Sequence, residues 1–491
     1  MKRLVPLLLL PLAACTVGPD YRKPDVATPG GYSELPAANA APLSVPQASE
    51  GDLSQWWQQF GDAELQRLIA TGMKENLDLQ SAASRIREAR QQEIVEGAAG
   101  LPSVNASGNA AHLHSNSNLL EKLGASGGSS GGSSSAPPSG GSDIKLYSLG
   151  FDASWEIDVF GGVRRAVEAA QANTEAAEWE LHDGEVSLSA EIANDYCSLR
   201  ATQAREQILT GEIARLQTLL KITAARAHAG FVTQLDVNEA RSQLASSQAQ
   251  LPSLQADARA MEHAIAILLA KPPEALVAEL DSTAPLPALP KMLPVGLPSE
   301  LLRRRPDVRE AERRLASATA EIGVATADLY PKFNLIGGVS LASNQVNTLF
   351  SGNSLGEFGL ASIMWPIFNA GKTHANIKSK EEEAKQAYLA YQKTVLGALK
   401  DVEDALTRYA AGQRGVMALA QSESSAKASA YIAEQQYKTG FVTYLNVLAA
   451  QNTWLQAQDQ LAQAQATDAQ NLIALYKALG GGWREDASNK S

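Results

Sequence analysis

The chain contains two copies of one sequence pattern, and this duplication restricts its fold more than any other feature. The copies are clearest where Gly-Phe-Val-Thr recurs, at Gly230 and at Gly440, an offset of 210 residues. Earlier in each copy, Pro102 corresponds to Pro331 at an offset of 229 residues. Because an internal repeat folds as a repeated structural unit, we expect two halves with the same order of helices and strands.

An enlarged loop in the first copy explains why the offset changes along the chain. Phe160 corresponds to Phe368 at an offset of 208, so the first copy has 229 − 208 = 21 extra residues between Pro102 and Phe160. This interval includes residues 124–142, which are almost entirely Gly, Ser and Pro. Such a composition buries too little apolar surface to become ordered, and it predicts a solvated loop.

Each half contains two short segments in which apolar and polar residues alternate. Residues 147–157 show the alternation most clearly, since Tyr, Leu, Phe, Ala, Trp and Ile occupy every second position. It is weaker in residues 104–114 and 333–341, and residues 358–367 are assigned by their place in the repeat. About ten alternating residues are typical of a transmembrane β-strand with one lipid-facing and one wet face.

Helical periodicity surrounds these strands in both halves. A shorter helical segment precedes the first strand, and a long proline-free stretch, residues 164–229 or 372–439, follows the second. Each long stretch would extend on the order of 100 Å as one helix. A turn at the repeated glycine then begins a return helix that ends near Ala270 or Leu479. Helices of this length favour coiled-coil packing.

The many prolines of the segment between the halves predict an extended linker. With it, the chain divides into residues 1–14 as a signal peptide, 15–59 as an amino-terminal segment, 60–270 as the first repeat, 271–298 as the linker, 299–483 as the second repeat and 484–491 as a tail. The two repeats are expected to have equivalent structures because their elements follow the same order.

The amino terminus indicates export. Two basic residues precede an apolar run at residues 4–13 that is too short to span a bilayer as a mature helix, which is typical of a signal peptide. The run ends in Leu-Ala-Ala-Cys15, which resembles the lipobox of bacterial lipoproteins. That resemblance implies diacylglycerol and an N-acyl chain on Cys15 as the only bound groups. Thr16, rather than Asp, implies sorting to the outer membrane. The alternative is an ordinary secretory signal with an incidental cysteine.

The charge and the cysteine content exclude several classes of protein. The net charge is −11 and no basic patch dominates, which argues against nucleic acid as a partner. With Cys15 acylated, Cys197 has no disulfide partner, and its apolar helical surroundings predict a buried thiol. No later apolar run has the length of a transmembrane helix, so a membrane crossing would need β-strands.

Four strands per chain are too few to close a barrel in lipid, where an open sheet edge is not tolerated. Two chains would supply eight strands, and three chains would supply twelve with room for a channel. We therefore expect an oligomer, and the strand count alone leaves its size open.

No motif for catalysis is present in the sequence. It contains no phosphate-binding glycine loop, zinc-binding helix pair or serine elbow, and its six histidines are scattered. His112 and His114 lie two residues apart on one strand, but no carboxylate or cysteine is near them in sequence, so we predict no metal site. The chain is not expected to be an enzyme.

Two further motifs have a recognisable form. Residues 297–307 read Leu-Pro-Ser-Glu-Leu-Leu-Arg-Arg-Arg-Pro-Asp, and residues 475–483 read Leu-Tyr-Lys-Ala-Leu-Gly-Gly-Gly-Trp. Together with the lipobox and the repeated turns, they resemble the outer-membrane factor family, and within it the OprM/NodT-type lipoproteins related to TolC. The resemblance covers nearly the whole chain after Cys15.

This resemblance implies an internally duplicated α+β membrane protein that forms a homotrimer. Three chains with four strands each would share a twelve-stranded transmembrane β-barrel in the bacterial outer membrane, joined to a long α-helical barrel in the periplasm. The implied function is the exit duct of a tripartite multidrug efflux system that passes small molecules. Its partners would be a periplasmic adaptor (membrane fusion) protein, an inner-membrane pump of the resistance-nodulation-division (RND) type and outer-membrane lipid.

The resemblance also implies where this duct closes. Gly230 and Gly440 would lie at the periplasmic tip, and these turns, with Phe231 and Phe441, would contact the adaptor. In the family, acidic side chains just past the glycines form a ring at the constriction, and Asp236 matches that place.

The second half departs from the family pattern at two positions. Asn446 stands where an acidic residue is expected, which halves the charge of the constriction. The family's latch tyrosine matches Tyr437, but Val442 replaces the arginine that follows the glycine in TolC. The pore constriction is therefore expected at Asp236, Asn446 and Tyr437. The alternative for Asp236 is a carboxylate that only stabilises a helix start.

Two other functions are compatible with parts of this pattern. A lipid-tethered coiled-coil scaffold would explain the helices, but it has no use for the lipid-facing strand at residues 147–157. A duct for secreted polypeptides, driven by an ATP-hydrolysing transporter, would explain the whole fold. Against it, the Gly-Gly-Gly-Trp motif at residues 480–483 resembles the drug-efflux branch.

Overall fold

The computed structural model describes residues 16–36, 45–47, 52–115, 142–290 and 292–484. Cys15 and most of the predicted Gly/Ser-rich loop lie outside the described residues. The first half contains, in chain order, β1 (Val45–Gln47), α1 (Ala63–Glu75), α2 (Leu77–Ala98), β2 (Ser103–Ser115), β3 (Ser142–Ile157), α3 (Gly162–His228) and α4 (Gln234–Leu268). The remainder contains α5 (Val277–Leu280), β4 (Met292–Pro294), α6 (Pro298–Arg304), α7 (Pro306–Ala327), β5 (Lys332–Ser343), β6 (Leu355–Met364), α8 (Lys372–Thr439) and α9 (Tyr444–Ala478).

One antiparallel sheet combines the long strands of both halves, in the order β2-β3-β5-β6. The apolar positions of the alternating pattern are in register, since Leu149 lies opposite Leu341 and Phe151 lies opposite Val339. Phe151 is 64% exposed and Val339 is 50% exposed. Because alternate residues of a strand point to the same face, these pairs give the sheet one apolar face that continues across the two halves.

The last strand differs from its predicted position. The sequence places it at residues 358–367, whereas β6 begins at Leu355 and ends at Met364. Pro366 has no N–H group for a strand neighbour and restricts the backbone of Trp365 before it, so the strand stops earlier. The start is wrong because the alternation is ambiguous here and only the repeat guided the prediction.

Four helices are much longer than the others. The predicted extents of the two longest are confirmed: α3 has 67 residues and α8 has 68. Each spans on the order of 100 Å at the α-helical rise per residue. The return helices α4 and α9 have 35 residues each. Proline-free stretches rich in Ala, Gln, Leu and Glu favour such long helices because these side chains lose little freedom in helical geometry.

The helical segment before the first strand of each half is divided into two helices. In the first half, the Asn76 side chain accepts hydrogen bonds from the backbone N–H groups of Asp78 and Leu79, at 2.9 and 3.1 Å, and so begins α2. In the second half, Arg305 is extended between α6 and α7. Pro306 causes this break, because a proline disfavours helical geometry in the residue before it.

The proline-rich segment between the halves is only partly extended. A 3-10 turn, Pro273–Leu276, leads into α5, where Leu280 is fully buried. The Gln203 side chain of α3 donates a hydrogen bond to the Leu280 carbonyl at 2.7 Å. Further along, β4 pairs in parallel with β1. The prediction of an extended linker is therefore wrong for this stretch, since a proline is readily accommodated in the first turn of a helix.

Contacts divide the chain into two compact units, and each unit combines segments of both halves. The first consists of Met1–Arg22, Ala89–Asn173 and Ala316–Gln386, and it includes the four-stranded sheet. The second consists of Lys23–Glu88, Thr174–Leu315 and Ala387–Ser491. The repeats therefore interleave within each unit. None of the helices in the described ranges is long and apolar enough to cross a membrane.

Aromatic side chains form part of the core of the second unit. Trp56, Phe60 and Tyr476 are buried, and the Trp56 and Tyr476 rings stack with centroids 5.0 Å apart. Cys197 is also fully buried in this unit. Burial raises the pKa of its thiol to about 12, so the predicted inert, buried cysteine is confirmed.

Candidate functional site

The two repeated glycines make identical helix-ending turns. Gly230 has φ 78° and Gly440 has φ 86°, in the left-handed region that favours glycine. The residue after each glycine donates its N–H to the carbonyl five residues earlier: Phe231 to Arg226 and Phe441 to Gln436, both at 2.9 Å. This bond closes a Schellman-type cap, so the sequence repeat produces the same turn twice.

Both turns expose a phenylalanine. The side chain of Phe231 is 75% exposed and that of Phe441 is 84% exposed. Single exposed apolar side chains are common on protein surfaces, and here one occurs at each of the two equivalent turns. The turns thus provide a matched pair of apolar projections.

The helices that leave these turns begin differently in the two halves. At the start of α4, Thr233 and Asp236 form a complete capping box, in which the Asp236 carboxylate accepts from the Thr233 N–H at 2.8 Å. At the start of α9, the equivalent Asn446 makes only a 3.4 Å contact with the Thr443 hydroxyl. The substitution therefore removes a charge and loosens the cap in the second half.

Tyr437 lies beneath the second turn and is held by residues of the first half. Its hydroxyl lies 3.0 Å from the Thr223 hydroxyl. The Arg226 guanidinium donates a hydrogen bond to the Tyr437 carbonyl, and its central carbon lies 4.7 Å from the ring centroid. Because Thr223 and Arg226 belong to α3, these contacts tie the end of α3 to the end of α8.

A small apolar core surrounds Tyr437 and joins all four long helices. The Tyr437 ring meets the Tyr444 ring edge-on at a centroid distance of 6.1 Å, and both side chains are 1% exposed. Leu219, Ala240 and Val447 complete the cluster. Burial raises the pKa of Tyr444 to about 12, so its hydroxyl is neutral at physiological pH.

A cluster of polar groups around the buried Glu212 lies farther along the same helices. Arg215 pairs with Glu212 at 2.7 Å and stacks over the Trp454 ring at 4.3 Å. The indole N–H of Trp454 donates to Glu423 at 2.8 Å. Burial raises the pKa of Glu212, and the Arg215 guanidinium opposes this shift. In the described part of the chain, no group of three or more His, Cys, Asp or Glu residues is arranged to hold a metal ion.

The sheet meets its helices through two equivalent tryptophans. The indole N–H of Trp155 donates to the Gly100 carbonyl at 2.9 Å, and that of Trp365 donates to the Leu329 carbonyl at 3.0 Å. Each acceptor lies in the connection between the helix and the first strand of its own half. Each hydrogen bond therefore anchors the end of the second strand of its half to the turn before the first strand.

The predicted site residues occupy three environments. Tyr437 is buried in the cluster, Phe231 and Phe441 are exposed at the turns, and Asp236 and Asn446 contact the threonine of their own helix start. Thr223 and Arg226 are not found by sequence reasoning, because their contacts with Tyr437 join residues 214 and 211 positions apart. No local pattern marks such a pair.

Comparisons with known proteins agree with this architecture. The family model described as "Outer membrane efflux protein" matches residues 68–271 and 297–481. The "Pyoverdine export outer membrane protein OpmQ" of Pseudomonas putida is 33% identical over 99% of this chain and 98% of its own length. The "Toluene efflux pump outer membrane protein TtgI" of Pseudomonas putida is 30% identical, covering 98% of each chain.

A solved structure extends the similarity to the fold. The outer-membrane channel OprN shares 34% sequence identity and a TM-score of 0.83, over 96% of this chain and 100% of that one. The family match falls on both halves of the duplicated sequence. The chain belongs to the outer membrane efflux protein family and is an outer-membrane exit duct for efflux.

Proposed function

We propose that three copies of this chain form one duct through the outer membrane and the periplasm, and that the duct closes at the paired turns. The sheet is the observation that carries this proposal. Within the described residues, the outer edges of β2 and β6 pair with no other strand. Each unpaired N–H or C=O group in lipid costs several kcal/mol, so neighbouring copies must supply the missing partners.

The size of the assembly follows from its need for a passage. Sheets from two copies would enclose a space that side chains fill, whereas three copies provide twelve strands and an open interior. The exposed apolar residues Phe151 and Val339 suit the lipid side of such a sheet. A passage of this kind supports multidrug efflux, because a wide duct need not recognise its cargo. Two related proteins are named for different compounds, one for pyoverdine export and the other for toluene efflux.

The closed end of the duct is proposed to lie at the Gly230 and Gly440 turns. The supporting observation is that α3, α4, α8 and α9 all end or begin there, around the buried Tyr437. Asp236 and Asn446 start the return helices and would line the constriction, while Tyr437 holds the helix ends together. We assign Phe231 and Phe441 to contact with a periplasmic adaptor, because both are exposed and apolar.

The remaining partners follow from the same assignment. The adaptor would join the duct to an inner-membrane pump of the RND type, which supplies the energy for transport. Diacylglycerol and an N-acyl chain on Cys15 would anchor each chain in the outer membrane, and two or more acyl chains hold far more firmly than one. We assign no catalytic step to the chain. We also propose that residues 60–270 and 299–483 are two copies of one ancestral unit.

Mass and shape test this proposal together. The acylated, detergent-extracted protein from the outer-membrane fraction is analysed by native mass spectrometry, and the same sample is imaged by electron microscopy. We expect a hollow, elongated particle of three chains that conducts ions in a planar bilayer. A monomer, or a solid rod without conductance, would contradict the duct and favour the tethered scaffold.

A further inference from the structure

A buried arginine binds the residues immediately after Cys15 to the rest of the first unit. This segment, residues 16–20, is called the amino-terminal strap below. Arg165, in the first turn of α3, donates from Nε to the Val17 carbonyl at 3.1 Å and from Nη2 to the Gly18 carbonyl at 3.4 Å. Nη2 also donates to the Asp20 carboxylate at 2.6 Å. The remaining nitrogen, Nη1, donates to Glu168 of the same helix at 2.7 Å.

The two charged side chains differ in how much of their surface is exposed. The Arg165 side chain is only 4% exposed, whereas the Asp20 side chain is 81% exposed. A buried guanidinium without partners would be costly, so the strap carbonyls satisfy donors that have no access to water. Three nitrogens aimed at four acceptors, two of them on the strap backbone, form a receiving site for this segment.

Glycines shape the surface that receives the strap. A side chain at Gly18 would lie 2.5 Å from the Gly323 Cα of α7, and Gly18 has φ 91°. A side chain at Gly161 would lie 2.9 Å from the Thr16 Cα. The Val17 N–H also donates to the Phe160 carbonyl at 3.1 Å. The strap thus fits between the start of α3 and the end of α7, where both approach closely only because side chains are absent.

This fit places one end of the strap at a defined point of the sheet. Thr16 follows Cys15 in the chain, and its contact, Gly161, lies between the end of β3 at Ile157 and the start of α3 at Gly162. We propose that Arg165 is a positioning residue that couples the lipid on Cys15 to the β3–α3 boundary. Docking of the strap fixes where the acyl chains join the protein, and so helps the sheet to insert. This inference rests on the acylation of Cys15 in the proposed function.

Trypsin measures docking directly, because the exposed Arg22 is the first cleavable residue after the strap and Lys23 is protected by Pro24. Mass spectrometry of the full-length, detergent-extracted protein follows release of the peptide that ends at Arg22. We expect slow release from the natural protein, and release roughly tenfold faster from Arg165→Ala, since two or more hydrogen bonds to a charged group are lost. Gly18→Val should release as fast while leaving α3 unchanged. Arg87→Ala, an exposed arginine on α2, is the control and should behave like the natural protein.

The coupling to lipid is tested in a second background. Here a cleavable secretory signal replaces residues 1–14 and Ala replaces Cys15, so that no acyl group is attached. The fraction of chain assembled in the outer membrane is measured for each variant in both backgrounds. We expect Arg165→Ala and Gly18→Val to lower this fraction in the acylated protein and to cause no further loss in the unacylated one.

Each other outcome overturns a defined part of the inference. Unchanged peptide release in both variants would show that the strap is not held by Arg165. Faster release with equal loss of assembly in both backgrounds would make Arg165 a stabilising residue without any link to lipid. If the released peptide carries no acyl mass, the proposed lipidation fails, and the release rates still report whether the strap docks.

Discussion

Arg226 contacts Tyr437 in two ways: its guanidinium donates a hydrogen bond to the tyrosine carbonyl, and it lies 4.7 Å from the ring centroid. Arg226 lies in the last turn of α3 in the first half, and Tyr437 lies in the last turn of α8 in the second. The pair therefore joins the two halves of the duplicated chain at the place where the proposed duct closes. This link lies within one chain. It does not use the arginine that follows the glycine in TolC, because this chain has Val442 at that position.

Replacing Arg226 by Ala is expected to loosen the closed tip. A cation–π contact contributes on the order of 1 kcal/mol, and the hydrogen bond to the Tyr437 carbonyl is lost in addition. Both contributions favour the closed arrangement, so single-channel conductance in planar bilayers should rise. Arg241→Ala, which removes the same charge from an exposed position on α4, is the control. Equal conductance of Arg226→Ala and the natural protein would mean that this pair does not restrain the tip.

Asp236 is expected to set the ion selectivity of the constriction. Asp236→Asn keeps an acceptor for the Thr233 N–H but removes the charge, whereas Asp236→Ala removes both. If charge is responsible, both variants should shift the reversal potential under a salt gradient toward lower cation preference, and by the same amount.

The equivalent position in the second half allows the opposite change, the addition of a negative charge. Asn446→Asp restores an acid at the equivalent helix start, which also suits the positive end of the helix dipole. Its reversal potential should move toward higher cation preference, and α9 should not be destabilised. A reversal potential that is insensitive to all three substitutions would leave Asp236 with a capping role only.

The exposed rings of Phe231 and Phe441 are expected to matter for binding and not for folding. The double variant Phe231→Ser with Phe441→Ser should weaken adaptor binding by roughly tenfold or more, since an exposed aromatic anchor at an interface contributes over 1 kcal/mol. Heat stability and conductance should not change, because both side chains are largely exposed in the chain itself. Tyr431→Ser on α8, at 65% exposure, is the control. Normal adaptor binding by the double variant would exclude the turns as the contact.

Asp468 on α9 is expected to make stability depend on pH. Its side chain is 1% exposed, and neither carboxylate oxygen has a hydrogen-bond partner in the described part of the chain. Burial raises its pKa to about 7 from 3.8. Between these values the folded chain holds a proton that the unfolded chain has released, so the free energy of unfolding should fall as the pH rises from about 4 to about 7.

Asp468→Asn should remove this dependence, because an amide does not ionise. At pH 8 the variant is expected to be more stable by up to roughly 4 kcal/mol, the energy that corresponds to the pKa shift. The midpoint of heat unfolding in detergent is measured at pH 5 and pH 8. Asp459→Asn, which removes a partly exposed acid of α9 that pairs with Arg205 of α3, is the control. The same pH dependence in Asp468→Asn and the natural protein would contradict the prediction.

The sequence predicts the long elements well because their signals are local. An absence of proline across residues 372–439 and a glycine at Gly440 suffice to place α8 and its turn. The end of β6 is less well predicted, since the influence of Pro366 on Trp365 outweighs a weak alternation. The break at Asn76 is also missed, because apolar spacing continues across it.

The site is predicted only where the repeat or the family resemblance marks it. Tyr437 and Asp236 are predicted because the family resemblance marks their places beside the repeated glycines. Arg226 and Arg165 are not, because their partners lie 211 and 145 positions away in the chain, where periodicity carries no information. The burial of Asp468 escapes prediction for a related reason: a helix that is covered on several sides has no single apolar face to reveal which polar residues lie inside.

The two Schellman turns have the same backbone but different chemistry at the helix starts that follow them. If three chains surround one axis, their six tips alternate between a form with Asp236 and a form with Asn446. The rim then has six turns of the same shape, but only three of the helix starts beside them carry the Asp236 charge. Identical adaptor subunits docked on these six tips would meet the same turn each time but two classes of electrostatic neighbour, so they would bind with unequal salt dependence. Titration of adaptor binding against ionic strength should resolve two classes of site, and Asn446→Asp should merge them into one.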